Sequence, residues 1–234
     1  MIREVSLKDI SDGRTYTEND MVKADTSGCA GCYKCCTGMG SSIVLDPYDV
    51  WQIKTGLGRS FQDLLNDGSI ELNMVDGLIL PNLKMGEDER CSFLNEEGRC
   101  SIHKFRPGIC RIFPLGRIYE NGDFKYFLQK DQCVKDNRAK VKIKKWIDIG
   151  NIPENRRFIN EWHSFIKFVG EKNINLRNTG RGESINDIAM YVLNVFYVSE
   201  LLNEEQSKVV DEGLFYMIIM NKIDKANKVI DTLG

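Results

Sequence analysis

Cys29-Ala30-Gly31-Cys32-Tyr33-Lys34-Cys35-Cys36 sets four thiols within eight residues, and the rest of the fold is read outward from it. Two-residue gaps let a backbone curl about one centre, so that successive thiolates and the amides between them point inward. Ferredoxin-type clusters take three of four ligands from this spacing. The fourth has to come from elsewhere, and Cys91, Cys100, Cys110 and Cys133 are the candidates. Cys36 is expected to have a second role, because in an extended backbone its side chain points away from that of Cys35. Eight thiols suffice for two four-ligand sites. A single cluster with spare or redox-active thiols, and one cluster plus one zinc, satisfy the same spacing.

At 234 residues the chain can bury a core without staples. Its 32 basic and 34 acidic residues leave a formal charge of -2, which carries no whole-chain signature of a nucleic-acid or anionic-membrane binder. No nucleic-acid partner and no membrane association are therefore expected. The start is charged and is followed by no apolar stretch long enough for a signal peptide or a span, so a cytoplasmic protein is expected. In a reducing compartment eight cysteines read as metal ligands or redox groups rather than as four disulfides. The vicinal pair Cys35 and Cys36 agrees, since a bond between neighbours would strain the dihedral an S–S bridge prefers.

Three segments are expected: an extended polar leader over 1–28, a cysteine-cluster metal-binding domain over 29–148, and a helical part over 149–234 packed on it. Ser42 to Leu45 suits a short strand. Asp46-Pro47 then starts a helix that Gly56 and Gly58 end, and Ser60 with Asp63 caps a second, stopped by Gly68. Asp76-Gly77 and Asn121-Gly122 mark hairpin turns, the latter pairing 115–120 with 123–128. A turn at 96–98 is expected to bring Cys91 near Cys100. Beyond Gly150 the period is helical, with Phe158, Ile159, Trp162, Phe165, Ile166 and Val169 on one face. Ile185 to Leu202 reads as a buried helix, apolar nearly all round. Glu204 to Leu233 reads as a third, with Leu214, Met217, Ile219, Ile223 and Ile230 available for packing.

Thiolate-ligated iron–sulfur centres commonly carry negative charge, which nearby donors and cations stabilise. Arg106 and Arg111 flank Cys110 and are read as cofactor-binding partners of this kind rather than as catalytic acids. Cys100-x-x-His103 would suit a zinc site. His163, beside Trp162, reads as a boundary residue. The aromatic set Phe158, Trp162, Phe165, Tyr191, Phe196, Tyr197 and Phe215 is read as core rather than as a substrate pocket. The run Lys140, Lys142, Lys144 and Lys145 is read as a solvated face rather than as a dock for an acidic redox partner or nucleic acid.

The motif Cys29-x-x-Cys32-x-x-Cys35-Cys36, followed by Cys91-Ser-Phe-Leu, Cys100-Ser-Ile-His103, Arg106-Pro107, Cys110-Arg111 and Phe113-Pro114, resembles the CxxCxxCC cysteine-cluster family of the YkgJ type, described as zinc- or iron-chelating. The resemblance spans about residues 29 to 133. It implies a metal centre with these cysteines as ligands, and because an aromatic residue is frequent in the family where His103 stands, it implies a packing or hydrogen-bonding role for that residue. A larger relative, the flagellin lysine N-methylase, pairs a similar pattern with methyl transfer. Here no glycine-rich loop stands convincingly between a strand and a helix for S-adenosylmethionine; Thr179-Gly180-Arg181-Gly182-Glu183 has no strand signal before it. The CxxxCxxC triplet of radical enzymes is also missing, because position 39 is methionine.

The resulting expectation is an α+β fold, with an irregular cysteine-rich part containing short β-hairpins and a C-terminal bundle of about three helices. All eight cysteines are expected to ligate metal, as one or two iron–sulfur clusters of the 4Fe–4S kind, with zinc as the alternative cofactor. The expected activity is electron transfer or a redox or group-transfer modification, with a protein redox partner or protein substrate. A zinc-binding structural or adaptor module and a protein methyltransferase are the alternatives.

Overall fold

The structure is a computed structural model that describes residues 7–26, 32–135, 138–200 and 211–233. In chain order its elements are α1 (Leu7–Ile10), β1 (Met21–Asp25), α2 (Pro47–Leu57), α3 (Phe61–Asn66), β2 (Ile70–Val75), β3 (Leu78–Leu83), α4 (Gly108–Ile112), β4 (Leu115–Glu120), β5 (Asp123–Leu128), β6 (Ala139–Lys142), α5 (Ile143–Ile147), α6 (Ile152–Asn178), α7 (Glu183–Leu193) and α8 (Glu212–Thr232). Short 3-10 turns span Lys34–Cys36 and His103–Phe105, and a π-turn spans Asn194–Val198. The strands form three two-stranded ribbons, β1–β6, β2–β3 and β4–β5, and the long helices come last, which makes the fold α+β. Contacts group the chain into two compact units, Met1–Ile43 with Leu83–Gly150, and Val44–Asn82 with Asn151–Gly234.

In the first unit, Asn121 and Gly122 both take positive φ (53° and 77°), the geometry a two-residue hairpin needs to match strand twist. β4 and β5 therefore pair from Leu115↔Leu128 to Glu120↔Asp123. The polar leader contains a strand that its composition does not announce. β1 alternates exposed and buried residues, and it pairs antiparallel with β6, drawn from the basic run after Cys133. Ahead of β1, Tyr16 ties the leader to β5 instead, exchanging two backbone hydrogen bonds with Tyr126 at 2.8 and 2.9 Å. The apolar run at 42–45 forms an isolated bridge, Val44↔Asn82, rather than the expected strand.

The second unit begins with two capping boxes. Asp46 accepts from the Asp49 N–H at 2.9 Å while the Asp49 carboxylate accepts from the Asp46 N–H, and Ser60 and Asp63 repeat the arrangement at α3. α2 ends at Gly58 in the left-handed conformation. On α6 the expected face is buried at Phe158, Ile159, Trp162, Phe165 and Val169, with Ile166 at its edge.

α7 differs from the expected helix buried all round. It ends at Leu193 and widens into the π-turn, burying Ile188, Val192, Phe196 and Tyr197 while Met190 and Val198 stand exposed. Lys222 donates to the Val195 carbonyl within that widened turn at 2.9 Å. Residues 201–210, over which the second C-terminal helix is expected to end and the third to begin, lie outside the described residues. On α8, Phe215, Tyr216, Ile219, Ile223 and Ile230 are buried, whereas Met217, expected to pack, faces solvent.

Aromatic rings fill this unit. Tyr48 stacks on Tyr216 with centroids 5.4 Å apart, Trp51 on Phe215 at 4.8 Å, and Trp162 meets Phe196 edge-on at 5.0 Å. The aromatic set is core, as its helical spacing predicts, with Tyr191 half-buried at the margin. Among the described residues no helix is long and apolar enough to cross a membrane.

Candidate metal centre

The cysteine-rich segments are held together by backbone pairing. Cys36 closes the first 3-10 turn through its N–H to the Tyr33 carbonyl at 2.8 Å. Its own carbonyl accepts from the Cys91 N–H at 2.9 Å, and the Gly38 N–H donates to the Glu89 carbonyl at 2.8 Å. The first cysteine loop is thereby stitched antiparallel to residues 89–91. The chain then turns back through 95–99, where Asn95 N–H to Arg99 O (2.9 Å) and Ser101 N–H to Phe93 O (2.8 Å) pair the two arms. This is the predicted turn that brings Cys91 and Cys100 to one place. Gly98 suits its tip: φ is +71° and a Cβ would lie 2.8 Å from the Tyr33 ring. The second 3-10 turn and Arg106-Pro107 lead into α4, which carries Cys110.

Cys32, Cys35, Cys36, Cys91, Cys100 and Cys110 line one cavity of about 100 Å³, wholly within the first unit. Met39, Ile43, Met85, Phe93 and Phe113 supply apolar wall between them. Cys133 is not among the lining residues, and Cys29 lies outside the described residues. None of the seven described cysteines is in a disulfide. The thiols ring a space rather than converge on a point: among the described residues no three His, Cys, Asp or Glu side chains are close enough together to hold one ion.

Each thiol's acidity reflects its neighbours. The Cys36 S–H donates to Cys35 and, with help from the Cys35 backbone N–H and the Arg106 charge, holds Cys35 down to about 7 against burial. Cys36, as the donor, is pushed up, then further by burial and by Cys35, Cys100 and Cys110. Burial is the main cause that raises Cys91 and Cys100, with smaller contributions from the other thiols. These mutual effects mean that five of the sulfurs lie within electrostatic reach of one another. In this apolar cavity protons sit on most of them until a cation displaces them.

The cavity's charged lining is basic. Arg99 and Arg106 line it, and no Asp or Glu is among the lining residues. Arg106 Nη1 donates to His103 Nε2 at 2.7 Å, which puts the imidazole proton on Nδ1. Burial first, then Arg106, Arg99 and Arg111, lower the His103 pKa, so the ring is neutral and its Nε2 lone pair is already engaged. Arg106 Nε is buried with no hydrogen-bond partner. An orphaned guanidinium N–H beside a ring of thiols fits an anionic, thiolate-ligated metal group, and soft sulfur donors select iron–sulfur clusters or zinc.

Arg111 stands elsewhere. It is buried and does not line the cavity. Its Nε donates to the Arg106 carbonyl at 3.0 Å, Nη1 to the Asp148 carbonyl at 3.2 Å, and Nη2 to the Lys104 carbonyl. Arg111 thus clamps the turn that presents His103 and Arg106. Sequence reasoning also passes over Met39 and Met85 as cavity wall; the available signal is their position among apolar residues beside the cysteines.

A cavity walled by thiols from three separate chain reversals defines a cysteine-cluster domain of the metal-chelating class. Residues 28–140 match the CxxCxxCC family model, described as a putative zinc- or iron-chelating domain. No curated protein and no solved structure matches the chain.

Proposed function

We propose that the domain holds an iron–sulfur cluster of the 4Fe–4S kind and that the protein works in electron transfer in a reducing compartment. The observation that carries this reading is the six-thiol ring around one cavity of about 100 Å³. A single zinc with bonds of about 2.3 Å draws four sulfurs to within about 4 Å of one another. A polynuclear cluster places several atoms between its ligands, and a wider ring suits it. The arginine lining and the engagement of His103 Nε2 favour the same choice over a Cys/His zinc site.

Cys35 and Cys36 with Cys32, Cys91, Cys100 and Cys110 are the residues that would hold the group, four of them sufficing for one cluster. When bound, the cluster supplies reversible one-electron transfer. The chain's contribution is to release thiol protons as ligands form, to keep water out with Met39, Ile43, Met85 and Phe93, and to set Arg106 against the resulting negative charge. The unpartnered Arg106 N–H would favour the more negative form of such a group and so raise its potential.

Iron and acid-labile sulfide measured on anaerobically purified protein test the reading. About four of each per cluster with broad visible absorbance is the expected result. Colourless protein with stoichiometric zinc and no sulfide would replace it with the zinc reading.

A further inference from the structure

Across the β1–β6 ribbon Lys23 stands directly opposite Lys140, and Met21 opposite Lys142. Side chains two apart on a strand share a face. Met21, Lys23, Lys140 and Lys142 are therefore exposed on one side, while Val22 and Ala24 are buried on the other. The chain passes straight into α5, which adds exposed Lys144 and Lys145. Like charges opposed across a ladder destabilise it. Among the described residues none of these five ammonium groups has an ion-pair or hydrogen-bond partner. Arg138, immediately before β6, keeps Nε and Nη1 buried with no partner. Of the nearby acidic residues, Asp20 is taken up by the Thr17 N–H and hydroxyl at 2.7 and 2.8 Å, Asp25 lies at the ribbon's far end opposite Ala139, and Glu18 sits beside α5, its carbonyl accepting from the Lys144 N–H at 2.9 Å. The chain's formal charge of -2 sums both signs and conceals this segregation.

The composition of the face selects its occupant. Protein interfaces are depleted in lysine and anchored by aromatic residues or arginine, and this face has no aromatic ring. Single-stranded nucleic acid is held by bases stacked on such rings. A membrane presents headgroups in a plane, of which a ribbon two strands wide meets only a strip. Lysines along one strand repeat about every 6.8 Å, a repeat suited to successive phosphates of a regular backbone. The major groove of DNA, about 12 Å wide, admits a two-stranded ribbon, whereas that of A-form RNA is too narrow.

We propose that the lysine face of the β1–β6 ribbon docks on the phosphate backbone of duplex DNA, without reading its sequence. Binding of the full-length protein to a fluorescein-labelled DNA duplex of arbitrary sequence tests this by anisotropy across a salt series. Five phosphate contacts give a slope of log K against log salt of about -4.5, a loss of about 500-fold between about 50 and 200 mM. The combined variant Lys23→Ser, Lys140→Ser, Lys142→Ser leaves two, with a slope of about -1.8 and affinity at low salt reduced by more than about tenfold. Its metal content stays at the wild-type level, because these lysines do not line the cysteine cavity, and its melting temperature does not fall, because a like-charge pair is removed.

A wild-type slope shallower than about -2, or equal binding by the triple variant, overturns the proposal. So does tighter binding to single-stranded DNA, to duplex RNA, to polyglutamate or to phosphatidylserine vesicles than to the duplex, each of which assigns the face to that other polyanion.

Discussion

Replacing Arg111 with leucine removes a buried guanidinium whose three nitrogens donate to the carbonyls of Arg106, Asp148 and Lys104. The substitution leaves those carbonyls without these donors. A hydrogen bond from a charged donor contributes about 1.5–3 kcal/mol, and a buried acceptor left unmade costs about 1–3 kcal/mol. Desolvation of the charge, which leucine avoids, offsets part of the sum. A net loss of about 3 kcal/mol follows, a fall in melting temperature of about 6–12 °C for a chain of this size. Arg111→Lys keeps one point donor in place of a three-way fork and should fall between the two. The clamped carbonyls bracket the His103–Phe105 turn, so the leucine variant should also surrender metal faster to a chelator. Thermal melts of wild type and both variants, followed by circular dichroism, measure the first effect. A leucine variant melting within about 2 °C of wild type, with the lysine variant no different, would refute the clamp.

Cys100→Ser and Cys110→Ser should each lower bound metal substantially, whereas Cys133→Ser, outside the cavity lining, should retain it; metal and sulfide quantification on the three variants distinguishes these outcomes. In metal-stripped protein Cys35 should be the first of the described cavity thiols to alkylate, with half-maximal rate near pH 7, and Cys36→Ala or Arg106→Gln should move that midpoint upward, because each removes a group that favours the thiolate. The folded value lies below that of an ordinary thiol. The Cys35 contribution to stability is therefore fully present above pH 9 and is lost as pH falls through about 7, which urea titrations of the stripped protein can follow. Gly98→Ala should cost about 1–2 kcal/mol in thermal melts, chiefly from an L-residue forced to φ +71°, since the half-exposed Tyr33 ring can shift aside. A neutral effect would mean that the turn readjusts.

Much of the fold is legible in the residues themselves because the deciding interactions are local. Asp46 and Ser60 each bond to a backbone N–H three residues on, so the residue type alone announces the helix start. Asn121-Gly122 accommodates two positive φ angles in succession, and the hairpin follows. The buried face of α6 repeats with the helical period, and the density of thiols between 29 and 110 declares their chemistry. Where the local signal is short or mixed, it misleads: 42–45 suits a strand but makes only one bridge, and α7 reads as apolar all round but turns Met190 and Val198 outward.

Tertiary structure alone decided the rest. β1 and β6 lie more than a hundred residues apart in the chain, and neither has enough alternation to name its partner; their pairing depends on the surfaces beneath them. The same pairing sets Lys23 against Lys140 and turns a short basic run into a face. Arg106 and Arg111 look alike beside Cys110, yet one lines the thiol cavity and the other is consumed by three carbonyls, because Arg106 stands on extended backbone ahead of α4 while Arg111 stands inside the helix, so the two face different neighbours. The sequence by itself settled which atoms could grip a metal and where helices and hairpins begin, since those depend on residue chemistry and bonds a few residues long. Which sulfurs share a cavity, and which charges share a surface, depended on long-range closure, which no local pattern encodes.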